Sequence, residues 1–315
     1  MGNFIAQKII ASGEKVTGLR RNSSQSTAYE SSLDWKECDI LDISSLIDVL
    51  KGAEVVVHCA ALVSFNPRDK EKLHAINVEG TRNVVNACLI AGVRRLIHIS
   101  SVAALGRQKG IQTISEDSKW IDSNLNSDYA ETKYLAELEV YRGLEEGLAM
   151  DIVNPSIILS RSNWNRSSSQ LFKYAWAERP FYTDGVINFV DVRDVAEMVV
   201  RLMNSPPSGE RYIANAGSIE IKDLLKEMAI RFKKKAPWIR LPGSLISIAA
   251  QFEIMRSRAT GSDPIVSKQS ARVAKEKFYY SNKKAVKDLG MQFRPLEESL
   301  QWCCEYYLQN GTINI

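Results

Sequence analysis

The segment Tyr129-Ala130-Glu131-Thr132-Lys133 sets a phenol and an amine four residues apart, and a Ser100-Ser101 pair stands upstream. On a helix, positions i and i+4 share one face, so Tyr129 and Lys133 are expected side by side. A cation at that distance lowers the cost of a phenolate and lets a tyrosine exchange protons nearer neutral pH. A serine hydroxyl delivered from another segment can polarise a carbonyl oxygen while the tyrosine protonates it. Such groups could reduce a ketone or oxidise an alcohol, given a hydride carrier opposite. The spacing alone is cheap, because any amphipathic helix with a surface Tyr and Lys reproduces it. Its weight depends on the elements that position it.

Those elements alternate. Short β-rich runs at 15–19, 54–58, 95–99 and 150–153 are interleaved with helical patterns at about 3–11, 44–50, 69–91 and 127–146, the signature of parallel βαβ units. Gly92 is placed to stop the third helix. The turns after the strands begin with Arg20-Arg21, His58-Cys59-Ala60-Ala61, Ser100-Ser101 and Asn154-Pro155-Ser156. All four fall on the carboxyl edge of an open parallel sheet, where ligands bind. The small run Cys59-Ala60-Ala61 lets a ligand approach the backbone, although close packing explains it almost as well. Beyond residue 156 the pattern loosens. A Ser/Asn/Arg-rich loop spans 160–169, and the residues from Phe189 to Ala196 read as a strand passing into a capped helix. Pro206-Pro207-Ser208-Gly209 marks a break, a short strand follows near 211–214, and the remainder is mostly helical.

At 315 residues, with 45% hydrophobic and 25% charged residues, the chain has material for a large core. A net charge of +4 is too mild to argue for nucleic acid, and Lys233-Lys234-Lys235 reads as a solvated helix end. Five cysteines (Cys38, Cys59, Cys88, Cys303, Cys304) are odd in number and lack metal-like spacing, so a reduced, cytoplasmic chain without a metal site is expected. No apolar run approaches the ~18 residues of a membrane span. The stretch 241–255 reads as a buried or pocket-lining helix. His58 and His98 end apolar strands and are read as satisfied core or rim histidines.

A chain of this type should open with a strand and a glycine-rich turn feeding the first helix, whose N-terminal amides hold pyrophosphate. Met1-Gly2-Asn3 already lies inside that helix, with Gly2 where the last glycine of such a turn would fall. Either the start is assigned roughly a dozen residues late or the phosphate cradle is crippled; the first is favoured because the rest looks intact. Removal of a central strand is expected to leave two open strand edges and an apolar trench.

With these motifs in order, the chain resembles the extended short-chain dehydrogenase/reductase family of the NAD-dependent epimerase/dehydratase type. Within it the chain looks most like dihydroflavonol-4-reductase-like and 3β-hydroxysteroid-dehydrogenase-like reductases. The resemblance implies an α/β fold with a doubly wound (Rossmann) parallel sheet lacking its first strand. A dinucleotide-binding domain of residues 1–155, also receiving about 187–213, would carry a smaller, mostly helical substrate cap of 156–186 and 214–315. It places the catalytic residues at Ser101, Tyr129 and Lys133. It implies cofactor contacts from Gly2, Asp39-Ile40, Cys59-Ala60-Ala61, Ser100, Tyr129, Lys133 and Asn154-Pro155-Ser156, with Asn77-Val78-Glu79-Gly80-Thr81 bracing the site. The family's usual Gly-Pro turn is replaced by Ile158-Leu159-Ser160-Arg161-Ser162, which puts the substrate-closing loop in question.

The second strand ends in Leu19-Arg20-Arg21-Asn22 with no carboxylate, so Arg20 and Arg21 suit a 2′-phosphate and favour NADP over the alternative, NAD. The expected reaction is reduction of a ketone or aldehyde in a mid-sized, fairly apolar small molecule. Trp164, Phe172, Tyr174, Trp176, Phe181, Tyr182, Trp238 and Phe252 are available to the cap, many of them as plain core. A nucleotide-sugar epimerase or dehydratase is the first alternative, kept open by Arg161, Arg166 and Arg179. A non-catalytic dinucleotide-binding protein is the second. A homodimer through paired long helices is implied by resemblance only.

Overall fold

The computed structural model describes residues 1–21, 33–107, 109–111, 113–164, 168–242 and 277–310. Its central sheet is parallel, built from β3 (Val55–His58), β4 (Arg95–Ile99), β6 (Ala149–Pro155) and β10 (Arg211–Ala214), in the order β10-β6-β4-β3. Every residue of β4 is buried. Its side chains alternate between two cores, as a strand covered on both faces requires. Ile97 and Ile99 join Val153 of β6 with Ile5 and Ile9 of α1 (Gly2–Ala11) and Val195 and Val199 of α7 (Val192–Asn204). On the opposite face Leu96, Met150 and Ile152 pack with Leu46 of α2 (Ile43–Leu50), Val84 and Cys88 of α4 (Gly80–Ala91) and Val140 of α5 (Asp128–Glu145).

Helix starts follow local chemistry. Asp42 caps α2 through the Ser45 amide, Ser127 caps α5 through the Ala130 amide, and Asp191 caps α7 through the Arg193 amide. Gly92 ends α4 with φ +71°, the left-handed conformation that favours glycine. The run expected as one helix over 69–91 is divided. A 3₁₀ turn (Pro67–Asp69) leads into α3 (Lys70–Leu73), a π-helical segment (His74–Glu79) and then α4. π-segments are rare and recur at functional sites.

Among the described residues β1 (Thr17–Arg20) pairs in parallel only with β2 (Asp34–Glu37), as a two-stranded sheet apart from the central one. Among the described strands β3 pairs only with β4, and its Val55 and Val57 are half-buried where all of β4 is buried. β2 had no counterpart among the expected strands.

One expectation at the end of the sheet needs correction. β6 runs through Asn154 and Pro155, so these residues are strand rather than turn. After Ser156 the chain enters β7 (Ile157–Leu159), ahead of the stretch expected as a loop. β7 pairs with β9 (Val186–Asp191), which also pairs with β11 (Gly217–Glu220) in a second, mixed sheet. Against that sheet lies a third core, with Phe172 of α6 (Ser169–Trp176), Met228 and Phe232 of α8 (Ile221–Phe232), and Leu300, Cys303 and Tyr307 of α10 (Leu296–Asn310). Trp164, Phe172 and Trp176 are packed within this aromatic core. Trp164 lies 4.3 Å from Tyr307 and Trp176 lies 5.2 Å from Phe232, centroid to centroid. Phe181 and Trp238 are exposed. Asn22, Arg166, Phe252 and most of the expected 241–255 helix lie outside the described residues. No helix among the described residues is long and apolar enough to cross a membrane.

Candidate active site

The segment after β4 and the first turns of α5 bring Ser101 and Tyr129 together. Ser101 has extended backbone and caps the short 3₁₀ helix Val102–Leu105 through the Ala103 amide, and its side chain lies against the Tyr129 phenol. Burial holds the Tyr129 phenol above its usual pKa, and the Ser101 hydroxyl opposes that shift. The sequence suggested that Lys133 would lower this pKa by charge proximity; burial dominates instead. Lys133 itself is 1% exposed, and its ammonium donates to the Ile99 carbonyl at 3.1 Å and lies 3.4 Å from His98 Nε2. Burial lowers the lysine pKa from 10.5 to about 8, with Glu137 and Cys59 opposing.

Beneath these groups is a buried polar network. Glu137, one turn beyond Lys133, accepts from Asn154 Nδ2 at 2.6 Å, and the same amide donates to the Ser101 carbonyl at 2.9 Å. Arg211 lies 3.4 Å from Glu137. Burial raises the Glu137 pKa against the opposing effects of Ser100, Arg211, Asn154 and Lys133. His58 and His98 are directly paired across β3 and β4, with ring centroids 5.2 Å apart. Burial, then the Lys133 charge, depresses His58 to about 3 and His98 well below its usual value, so both are neutral. His58 Nε2 meets Thr81 Oγ1 at 3.1 Å, which fits a satisfied core histidine. His98 goes further, since it touches the lysine.

The π-segment delivers Asn77 into this region. Its side chain accepts from the Leu62 amide at 2.7 Å and donates to the Leu62 carbonyl at 3.0 Å and to Thr132 Oγ1 at 3.1 Å. One side chain therefore ties the loop after β3 to the helix carrying Tyr129. Gly80 follows because Ile40 packs against it; a Cβ there would sit 2.5 Å from Ile40 Cδ1.

A chain with this site can be compared with known proteins. The family model for the NAD dependent epimerase/dehydratase family matches residues 1–217. The chain belongs to that family. It is accordingly an NAD(P)-dependent oxidoreductase of the extended short-chain dehydrogenase/reductase type. A Synechocystis protein provisionally called dihydroflavonol 4-reductase is 26% identical, over 99% of this chain and 93% of its own. Cinnamoyl-CoA reductase 1 of Oryza sativa subsp. japonica is 26% identical, over 95% and 85% respectively. The crystal structure of gox2253 superposes with a TM-score of 0.84 at 29% identity, covering 98% of this chain and 95% of that one. UDP-glucose 4-epimerase of Thermotoga maritima, at 17% identity and a TM-score of 0.80 over 98% and 95%, shares the fold.

In this family a dinucleotide must reach the carboxyl edge of the sheet, and the residues present fit one in part. The α1 N-terminus lies beside Cys59, where a Cβ on exposed Gly2 would lie 3.9 Å from Cys59 Cβ, and Ala60 and Ala61 are exposed. An exposed helix end beside small residues suits a pyrophosphate. Asp39 is fixed by the Leu41 amide at 3.0 Å, and the Ile40 carbonyl by Asn83 at 3.0 Å. Asn154, Pro155 and Ser156 are buried, and Ser156 Oγ donates to the Ala214 carbonyl. Ser100 is likewise buried beneath the surface that Ser101 presents. Arg20 lies over the Trp35 ring at 5.5 Å, whereas Arg21, just past β1, is exposed.

Sequence reasoning missed Glu137 and the Lys133–His98 contact. Glu137 was within reach, since Tyr129, Lys133 and Glu137 follow an i, i+4, i+8 spacing. The Lys133–His98 contact joins segments far apart in sequence.

Proposed function

We propose that the protein is an NADP(H)-dependent reductase acting on the ketone or aldehyde carbonyl of a mid-sized, fairly apolar substrate. The observation that carries this reading is the juxtaposed Ser101–Tyr129 pair, with buried Lys133 one turn along the same helix. The bound cofactor supplies the hydride. The Ser101 hydroxyl donates to the carbonyl oxygen and polarises it, and Tyr129 delivers its phenolic proton to that oxygen as charge develops there. Lys133 keeps a positive charge on the helix face of the phenol and would help hold the cofactor. Asn154 and Glu137 hold the Ser101 backbone in place from below.

The cofactor would be held by residues 1–155 through Gly2, Arg20, Arg21, Asp39, Ile40, Cys59, Ala60, Ala61, Ser100 and the segment 154–156. The substrate would enter under the cap formed by 156–186 and 214–315. The names of the Synechocystis and rice relatives support carbonyl reduction. Arg161 argues against a sugar-nucleotide cap, because its guanidinium stacks on Trp302 at 4.1 Å and donates to the Trp302 carbonyl at 3.0 Å. An NADPH-oxidation screen over ketones, aldehydes and sugar nucleotides tests the reading. Consumption of NADPH with apolar carbonyls is expected; turnover confined to sugar nucleotides overturns it.

A further inference from the structure

The loop leaving β3 holds an aromatic side chain in water beside the reactive phenol. Phe65 is 54% exposed, and its ring meets that of Tyr129 edge to face, 6.1 Å between centroids at 68°. Its neighbour Val63 is 46% exposed. Single exposed apolar residues are ordinary on protein surfaces. This one is unusual in how firmly it is fixed. Ahead of it, the Leu62 amide and carbonyl are both bonded to Asn77, whose side chain also reaches Thr132, three residues beyond Tyr129. Behind it, the Asn66 amide donates to Ser64 Oγ at 3.1 Å, and Ser64 Oγ donates to Asp69 at 2.6 Å. Asn66 Oδ1 then accepts from the Arg68 amide at 3.1 Å, with Pro67 fixing the turn between. Phe65 therefore has a set position relative to the helix that carries the proton donor.

A rigid phenyl left in water next to a reacting group gains most by receiving another apolar, flat group. Aromatic rings favour edge-to-face and offset contacts over centroid separations of ~4.5–7 Å, beyond the gain from buried area alone. A carbonyl whose oxygen rests on Tyr129 and Ser101 keeps its attached groups within a bond or two of those hydroxyls. An aryl group bonded to that carbonyl is thereby brought to the ring edge of Tyr129 and toward Phe65. A saturated ring of equal size would fill the volume without the ring–ring contact.

We propose that Phe65, Val63 and the ring edge of Tyr129 form the substrate subsite that sets specificity, and that it takes an aryl group attached to the reacting carbonyl. This rests on the reading of the site as one of carbonyl reduction. Phe65 determines specificity and carries no proton or charge in the reaction.

The test compares acetophenone with cyclohexyl methyl ketone, matched in size and differing in the flat ring, in the NADPH-loaded protein. Wild type is expected to favour acetophenone in kcat/KM by roughly tenfold. Phe65→Leu, which keeps apolar bulk without the ring, should bring the ratio close to one, and Phe65→Tyr should retain it. Unchanged preference in Phe65→Leu overturns the subsite, as does a wild type with no preference. A weakened NADPH Kd with unchanged ketone preference places Phe65 on the cofactor and also overturns it. Saturation-transfer NMR with the same ketones separates the two levels of inference. If neither ketone turns over but acetophenone ring protons contact wild type and lose that contact in Phe65→Leu, the reaction reading fails and the subsite stands. Turnover of both ketones at one ratio in every variant fails the subsite and leaves the reaction intact.

Discussion

Lys133 Nζ faces Nε2 of His98 at 3.4 Å in the interior of the protein, with the Ile99 carbonyl as its second acceptor at 3.1 Å. The lysine is thus anchored to β4 by groups that carry no negative charge. Its compensating carboxylate is Glu137, on its own helix; His58, His98 and Cys59 face it from the sheet, and burial keeps all three neutral. Activity that depends on the ammonium should decline above about pH 8, where the lysine titrates. Glu137 raises the Lys133 pKa, so removing its charge must lower that pKa and move the alkaline limb toward acid. Glu137→Gln keeps an acceptor for Asn154 while deleting the charge, and is expected to shift the limb by roughly one pH unit. Glu137→Asp should leave it near the wild-type position. The measurement is kcat/KM against pH; identical profiles for wild type and Glu137→Gln would remove Glu137 from this role.

Tyr129→Phe deletes the proton donor and leaves the ring, including its contact with Phe65. Turnover of a carbonyl substrate should fall by roughly 10²–10⁴-fold, the usual worth of a positioned general acid. NADPH affinity, measured by fluorescence titration, should change little. A variant with near wild-type kcat would take the proton-donor role from Tyr129.

Arg21 is the exposed arginine at the end of β1, whereas Arg20 is occupied with Trp35. Arg21→Ser should weaken NADPH by roughly tenfold while leaving NADH almost unaffected, because only the former carries a 2′-phosphate. Equal losses for both cofactors would assign Arg21 a general rather than a discriminating role.

Gly80→Ala adds a methyl where Ile40 Cδ1 already sits 2.5 Å away. The overpacked variant should lose about 1–3 kcal/mol in denaturant unfolding. Ile40→Val in the same chain removes Cδ1 and should recover part of that loss. No recovery would locate the damage elsewhere.

Much of the architecture was legible because its signals are local. The βαβ alternation, the end of α4 at Gly92 and the strand-to-helix passage at Asp191 depend on periodicity and capping within a few residues. The π-segment was not legible, since hydrogen bonds five residues apart leave the same apolar pattern as an α-helix. Neither was the continuation of β6 into Asn154 and Pro155. Polar and proline residues there read as a turn, but Asn154 is satisfied by Glu137 and the Ser101 carbonyl.

The sequence by itself determined which reactive residues share a helix face. Tyr129 and Lys133 are four residues apart, and helical geometry leaves them no other relation. It also determined that the segments after His58 and Ile99 leave neighbouring strands at the carboxyl edge of one parallel sheet. Tertiary structure alone decided where the charge on Lys133 goes. Helical spacing brings its Cβ near Tyr129, but the end of a four-carbon side chain is directed by acceptors on other segments, here Ile99 and His98. The same holds for the phenol, whose pKa is set by burial under neighbouring segments and by Ser101 rather than by the lysine one turn away.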